Sequence, residues 1–567
     1  MSEAAIVKAE VQHHIPGVVY PSPHTVRRYV EAGALTDETL VEGFQQSVAR
    51  FPDHIALQCT EQSYSYRQLD DITDRLGGAL LKMGVRPLDR AVLQLGNSPE
   101  LVIVFLACLK AGIIPICTLA AHREHEIGFL AELGEARLHI VQGDDPKFDD
   151  VEFARQMQAR IPGIEWIIQA RGATRDGAVG LHALANGIEP AEARQWLQQV
   201  CRDPLQVAVF QLSGGTTGAP KIIPRFHSEY LYNMRSVAKV NGYTSEDALF
   251  MPLPMVHNLN MGCCFGPFLM TGGTVVLAPS MSTADVLQTL QTYQPTWLSV
   301  GALLARIQPA LDSGQLQLRR LRGVIAPNGG PRLRQIFNAP VRHIFGMTEG
   351  VIMLTREEDP QIIQDYTVGR PVSEHDRVKL LVPGTDQEIT EDEVDGECAF
   401  SGPYTIHGYY KAEDRNREQF TADGFYRSGD LMMARTIDGV RYFQFRGRTK
   451  DVVSRGGEKI NCEEVEILIR RHAAVTNVQI CAMPDPVLGE RACAFIQAKP
   501  GQTAPDVAAL GAFLKEEGLA KFKWPERVES VDEFPMTKTG KLSKVILRQL
   551  IVDKLAAEAA AKKGETE

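Results

Sequence analysis

Between Ser213 and Lys221 the chain reads Ser-Gly-Gly-Thr-Thr-Gly-Ala-Pro-Lys, nine residues holding three glycines, three hydroxyls and a lysine. Gly214, Gly215 and Gly218 let the backbone turn tightly and bring its N–H groups close to an anion. Ser213, Thr216 and Thr217 add hydroxyl donors, and Lys221 adds a point charge. That set suits a polyphosphate. It is not a Walker A loop, because the GxxxxGK[ST] spacing is absent and Pro220 blocks the helix that would begin there. A flexible turn alone would use the glycines but has no need of the hydroxyls and the lysine.

The elements around this loop follow from hydrophobic periodicity. An apolar strand, Val207–Leu212, delivers it. Upstream, Tyr66, Leu69, Ile72, Leu76 and Leu80 recur at helical spacing within Ser65–Leu81. Arg90–Leu95 reads as a buried strand, and Ser98 in the Gly96-Asn97-Ser98 turn is placed to cap the next helix. With a further strand at Ile113–Thr118, this is βαβ grammar, and it recurs at Thr274–Ala278 and Trp297–Val300. After about residue 370 the pattern changes to strands at Val378–Val382, Glu397–Phe400 and Arg441–Phe445. A second α/β unit begins near Asp451, with strands Val478–Met483, Ala492–Ala498 and Val528–Val531 around a helix at Asp506–Gly518. The expected fold class is α/β: a large N-terminal domain of α/β sheets over residues 1–448, with a small β-rich subdomain at about 370–448. A hinge at 449–451 and a mobile C-terminal α+β domain at 452–567 complete it. The Ala/Lys/Glu-rich tail, Ala556–Glu567, reads as a fraying helix end.

At 567 residues, two or three folding units are expected. The formal charge is −10 and no long Lys/Arg run occurs, which disfavours nucleic acid or an anionic membrane as partner. Cations for a phosphate must therefore be local. The ten cysteines show no CxxC spacing, and with no secretory start at the N-terminus they read as reduced thiols of a cytoplasmic protein. Leu101–Ala121 is apolar, but Lys110, Gly112 and Pro115 divide it into a helix and a short strand, neither long enough to cross a bilayer.

Five further motifs follow the loop in order. They are Phe345-Gly346-Met347-Thr348-Glu349, Tyr426-Arg427-Ser428-Gly429-Asp430, Arg446-Gly447-Arg448-Thr449-Lys450-Asp451, Arg455-Gly456-Gly457-Glu458-Lys459-Ile460 and Pro535-Met536-Thr537-Lys538-Thr539-Gly540-Lys541. Together with the loop they resemble the superfamily of acyl-CoA synthetases, peptide adenylation domains and firefly luciferase, over about residues 40 to 550. The resemblance implies ATP-dependent conversion of a carboxylic acid to an acyl-AMP and then a thioester. Attack of a carboxylate on the α-phosphate builds charge on phosphorus oxygens, so cations, oriented donors and a metal do most of the work. On this resemblance Glu349 supports Mg²⁺, Thr348 offers a hydroxyl to the α-phosphate, and Gly329 and Gly330 lie against the nucleotide. Asp430 accepts the ribose hydroxyls with Arg448 beside it, Lys541 bridges carboxylate and phosphate, and Lys450 is the hinge.

Within that superfamily the chain is most similar to stand-alone aryl-acid–AMP ligases, the dihydroxybenzoate and salicylate type. Gln211-Leu212-Ser213, His257-Asn258, Gly402-Pro403-Tyr404-Thr405-Ile406-His407-Gly408-Tyr409-Tyr410 and Arg455–Lys459 carry the likeness. Asn258 stands where amino-acid-activating domains commonly have Asp, and a neutral amide suits an acid without an α-ammonium group. Cys263 replaces a more polar residue near the ring, which favours salicylate or another unhydroxylated ring edge. Asn328 departs from the usual Val-Gly-Gly and adds a polar group near ring or adenine. His257, Gly346 and Ile352 complete the expected acid pocket, although packing accounts equally well for Ile352, Leu259, Met261 and Cys264. The stretch after Lys541 reads as too short to form a carrier domain of its own. The acceptor is then a phosphopantetheinyl carrier protein or free CoA, the second reading being an aryl-CoA ligase of aromatic degradation. An ATP-dependent phosphotransferase would instead make ADP.

Overall fold

The structure, a computed structural model, describes residues 9–212, 221–327, 330–448, 452–455, 458–486, 488–517, 519, 521–536 and 542–564. They group into two compact units. One comprises the residues up to Leu212, Lys221 to Arg377, and Phe400–Tyr426; the other comprises Val378–Ala399 and the residues from Arg427 onward. The β-rich strands after residue 377 thus group with the C-terminal segment.

The first unit is built on two sheets. A seven-stranded sheet runs Val179–Gly180, Trp166–Gln169, Ala136–Val141, Arg90–Leu95, Ile114–Leu119, Val207–Leu212, Ile222–Phe226. Every neighbouring pair is parallel except the last, where Leu212 pairs with Ile222 in antiparallel register. These two strands therefore run in opposite directions, and the glycine-rich segment that separates them in sequence lies outside the described residues. A nine-stranded sheet contains the parallel strands Ile55–Gln58, Thr274–Val276, Ala248–Phe250, Trp297–Ser299, Gly323–Ala326 and Val341–Gly346, with antiparallel strands at both edges. One buried apolar cluster draws on both sheets and on the helices Leu40–Arg50, Tyr66–Lys82, Pro99–Lys110 and His227–Asn241, joining Phe44, Leu76, Leu93, Phe105, Leu231 and Trp297. Further clusters cover the outer face of each sheet. Near-continuous apolar strands are what burial on both faces requires.

Local signals explain the element ends. Ser65 closes a capping box with Gln68 at the start of Tyr66–Lys82. Ser98 accepts the Leu101 N–H, and Pro99 occupies the first helical position. Lys110, at the end of that apolar helix, is 1% exposed. Its ammonium lies 2.6 Å from both Asp70 and Asp74 on the neighbouring helix, so the charge is paired. Among the described residues no helix is long and apolar enough to cross a membrane.

The second unit holds a five-stranded sheet in the order Glu388–Ile389, Arg377–Leu381, Asp395–Ser401, Tyr426–Ile437, Val440–Arg448. Its other sheet combines Glu458–Asn461, Val452–Arg455, Gly489–Ala498 and Val475–Asp485, with Arg527–Ser530 parallel to Gly489–Ala498. Helices Cys462–Ile469 and Val507–Glu516 pack one apolar cluster there, and Lys544–Gly564 packs another through Leu547 and Ile551.

Candidate active site

Arg225 lies in the apolar strand Ile222–Phe226, immediately before helix His227–Asn241, and is 1% exposed. A lone guanidinium cannot be buried there without a counter-charge. Glu229, one helical turn on, supplies it through two hydrogen bonds of 2.9 and 2.8 Å, and also accepts the Phe226 N–H at 2.8 Å. Burial penalises the charge on Arg225, yet the Glu229 carboxylate more than compensates and holds the guanidinium above its usual range. The remaining donors of Arg225 reach Asn258 Oδ1 at 3.2 Å and the Thr348 carbonyl at 3.3 Å. Tyr230 Oη donates to the same Asn258 oxygen at 2.7 Å. Two expected site residues, Asn258 and Thr348, are therefore joined by one buried cation.

Thr348 and Glu349 occupy the turn between strands Val341–Gly346 and Ile352–Leu354, in which Gly346 pairs with Ile352. Gly350 closes the turn where a Cβ would lie 2.6 Å from the Phe400 ring, so only glycine fits without displacement. The Glu349 carbonyl accepts the Ile406 N–H at 2.9 Å, anchoring the turn to the 402–410 segment. From that segment Tyr409 Oη donates to Glu349 Oε1 at 2.8 Å and lies 2.7 Å from Tyr426 Oη. Lys221 stands over the Tyr409 ring, 4.4 Å from its centroid, with Nζ 3.5 Å from the hydroxyl. The expected phosphate-binding lysine and the expected metal-binding carboxylate thus meet at one phenol.

The other acid-pocket residues lie just after strand Ala248–Phe250. His257 is exposed and caps a short helix, its Nδ1 accepting the Leu259 N–H at 3.2 Å. Met261–Phe265 forms a π-helical turn containing Cys263, an irregularity frequent at functional sites. Asn233 fixes that turn by donating to the Gly262 carbonyl at 2.9 Å. Cys263 is 2% exposed, and burial pushes its thiol up to about 12, so it acts as a small neutral group. Gly330 opens the helix Gly330–Phe337, where a Cβ would come 2.9 Å from His343 Nε2.

In the second unit Asp430 is 3% exposed, and its N–H donates to Ser428 Oγ at 3.0 Å. Asp430 and Arg448 are direct cross-strand partners, so the backbone sets the two residues side by side. Ser213, Gly214, Gly215, Thr216, Thr217, Gly218, Asn328, Gly329, the hinge residue Lys450 and Lys541 lie outside the described residues. Among the described residues no group of three His, Cys, Asp or Glu side chains forms a metal cage. Glu349 fits the narrower task of supplying a single oxygen ligand: one of its oxygens is bonded to Tyr409 and the other has no partner among the described residues.

Residues 44–410 match the AMP-binding enzyme family, and residues 464–541 match the AMP-binding enzyme C-terminal domain. The chain belongs to the AMP-binding enzyme family. This member is 37% identical over 539 residues to the 2,3-dihydroxybenzoate-AMP ligase of Bacillus subtilis, covering 93% of this chain and 96% of that one. It is 36% identical over 535 residues to a salicylyl-CoA synthase / salicylate adenylyltransferase of a Streptomyces species, covering 92% and 96%. Among solved structures, apo MbtA from Mycobacterium smegmatis superposes with a TM-score of 0.70 at 27% identity, covering 94% of this chain and 98% of that one. The protein is thus an adenylate-forming ligase, as the ordered motifs implied.

Three residues central to this geometry, Arg225, Tyr230 and Tyr409, were not singled out from the sequence. A charged residue in an apolar strand followed four positions later by Glu was the available signal for Arg225.

Proposed function

We propose that this ligase activates a salicylate- or 2,3-dihydroxybenzoate-like acid to its acyl-AMP and delivers the acyl group to the phosphopantetheine thiol of a separate carrier protein. The observation that carries the reading is Asn258, a neutral amide whose oxygen is occupied by Arg225 and Tyr230 and whose nitrogen has no partner among the described residues. An ammonium would find no counter-charge there, whereas an oxygen beside a carboxylate finds a donor. The names of the 37% and 36% identical relatives support an aryl acid.

In the first step a carboxylate oxygen of the acid attacks the α-phosphorus of ATP, the bond to the β-phosphate oxygen breaks, and pyrophosphate leaves. Lys221 and the Ser213–Gly218 loop hold the phosphates, Thr348 donates to the α-phosphate, and Glu349, oriented by Tyr409, would hold Mg²⁺. That ion, when bound, neutralises charge on the phosphate oxygens. Asp430 and Arg448 hold the ribose, and Lys541 bridges the reacting carboxylate and phosphate. In the second step a thiolate sulfur attacks the acyl carbon and AMP leaves, with Lys450 as the hinge between the two arrangements. Gly330 with Gly329 borders the nucleotide; Cys263, Asn328, Gly346, His257 and Ile352 border the acid. We place the enzyme in the cytoplasm.

A second reading, direct ligation to CoA, is favoured by the relative named for salicylyl-CoA synthesis. The test is acid-dependent ATP–pyrophosphate exchange across benzoate, salicylate, 2,3-dihydroxybenzoate and alicyclic acids, followed by thioester detection with CoA or a phosphopantetheinylated carrier. Exchange with the hydroxylated aromatic acids and acylation of the carrier support the first reading. Free acyl-CoA formed at least as fast selects the second, and exchange with alicyclic acids alone refutes both.

A further inference from the structure

We infer that Arg225 and Tyr230 are positioning residues that set the ortho-substituent selectivity of the acid site by locking the orientation of the Asn258 amide. The inference rests on the aryl-acid reading and specifies how that site chooses among such acids. A guanidinium has donors only, so the Asn258 atom 3.2 Å from Arg225 Nη1 must be the amide oxygen. Tyr230 Oη, 2.7 Å from the same atom, occupies its second acceptor direction. Rotating the amide by half a turn would set an NH₂ group against a donor-only cation, a clash that a reversed Tyr230 hydroxyl could not relieve. The bracket is rigid: Glu229 grips Arg225 with two bonds, Asn233 Oδ1 lies 3.4 Å from its Nη2, and the guanidinium stacks on the Tyr230 ring at 4.2 Å. All four side chains, Arg225, Glu229, Asn233 and Asn258, are buried.

Asn258 therefore presents N–H groups and not a carbonyl to the substrate. An acid whose ortho group is a hydroxyl turns that hydrogen toward its own carboxylate and offers an oxygen lone pair to Asn258. An ortho-amino group gives one N–H to its carboxylate and points the other at the Asn258 N–H, donor against donor. The same guanidinium bonds the Thr348 carbonyl, so the amide and the α-phosphate turn share one anchor.

The experiment is pyrophosphate exchange with salicylate, benzoate and 2-aminobenzoate for the wild type, Tyr230→Phe, Asn258→Ala, the double variant and Asn258→Asp. The wild type should rank salicylate over benzoate over 2-aminobenzoate in kcat/KM. Tyr230→Phe keeps the ring and removes one of the two donors, so the salicylate-to-benzoate ratio should fall about three- to tenfold, mainly through KM. In the Asn258→Ala background Tyr230→Phe should not lower that ratio further. Asn258→Asp keeps one oxygen for Arg225 and Tyr230 and turns an acceptor to the substrate, moving preference toward 2-aminobenzoate. An equal loss on salicylate and benzoate in Tyr230→Phe, or an undiminished effect of it on the ratio in the Asn258→Ala background, would overturn the inference. Exchange with none of the three acids in the wild type would overturn the aryl-acid reading itself.

Discussion

Replacing Tyr409 by Phe removes one oxygen and leaves the ring in place. That oxygen donates to Glu349 Oε1 at 2.8 Å, touches Tyr426 Oη at 2.7 Å and faces Lys221 Nζ at 3.5 Å. Burial, reinforced by the Glu349 carboxylate, holds the phenol protonated far above its usual range, so the donor persists throughout any assay pH. A hydrogen bond to a charged group contributes about 1.5–3 kcal/mol. At about 1.4 kcal/mol per factor of ten, its loss corresponds to roughly 10- to 150-fold. If Tyr409 orients Glu349 toward Mg²⁺, the loss falls on metal use, where residues supporting a metal ligand typically matter by about 10–100-fold. The assay is salicylate-dependent pyrophosphate exchange measured against MgCl₂ concentration, with a thermal melt to show that the variant folds. The expected result is a half-saturating Mg²⁺ concentration raised at least tenfold while the ring preserves the fold. A folded variant with unchanged rate and unchanged Mg²⁺ dependence would refute the link from Tyr409 through Glu349 to the metal.

Lys541→Ala should abolish acid-dependent pyrophosphate exchange yet leave nucleotide affinity largely intact; exchange at the wild-type rate removes its assigned role. Asp430→Ala should weaken ATP binding by about one to two decades, because two ribose hydroxyls lose a charged acceptor, and calorimetric titration showing unchanged affinity contradicts the assignment. Asp376 accepts from Tyr404 Oη at 2.5 Å, and burial pushes its carboxyl up to about 8 from an ordinary value of 3.8. The folded chain binds this proton more tightly than the unfolded one, so the group's stabilising contribution is full below about 3.8 and is lost as pH rises through about 8. Denaturant midpoints of Asp376→Asn should therefore decline less between pH 5 and 8 than those of the wild type; parallel curves would exclude the coupling.

Much of the framework was legible because it rests on strong local signals. Arg90–Leu95 and Val207–Leu212 are strands with the expected ends, and Ser65 and Ser98 cap the helices they precede. Thr348, Glu349 and Asn258 were singled out from motif order and residue type, and the structure ties Asn258 and Thr348 to Arg225 and Glu349 to Tyr409. Their supports were not legible. Arg225 sits in an apolar strand, and nothing local shows that its guanidinium will reach Asn258, 33 positions away, or Thr348, 123 positions away. Tyr409 lay within a quoted motif, but its bond to Glu349 spans 60 positions and depends on how the 402–410 segment packs on the Thr348–Glu349 turn. The π-helical turn at Met261–Phe265 has no composition signal, because Met, Gly, Cys and Phe also suit an ordinary helix. The antiparallel return of Ile222–Phe226 was likewise hidden among parallel neighbours, since a strand's direction is not written in its side chains.

The proposed adenylation bonds a carboxylate oxygen to the α-phosphorus of ATP, and isotope transfer reads that bond directly. Salicylate or 2,3-dihydroxybenzoate labelled with oxygen-18 in its carboxylate is incubated with the enzyme, ATP, MgCl₂ and a thiol acceptor, and the nucleotide products are weighed by mass spectrometry. One heavy oxygen is expected in AMP and none in pyrophosphate. Label in inorganic phosphate, or ADP as the nucleotide product, would contradict the proposed adenylation.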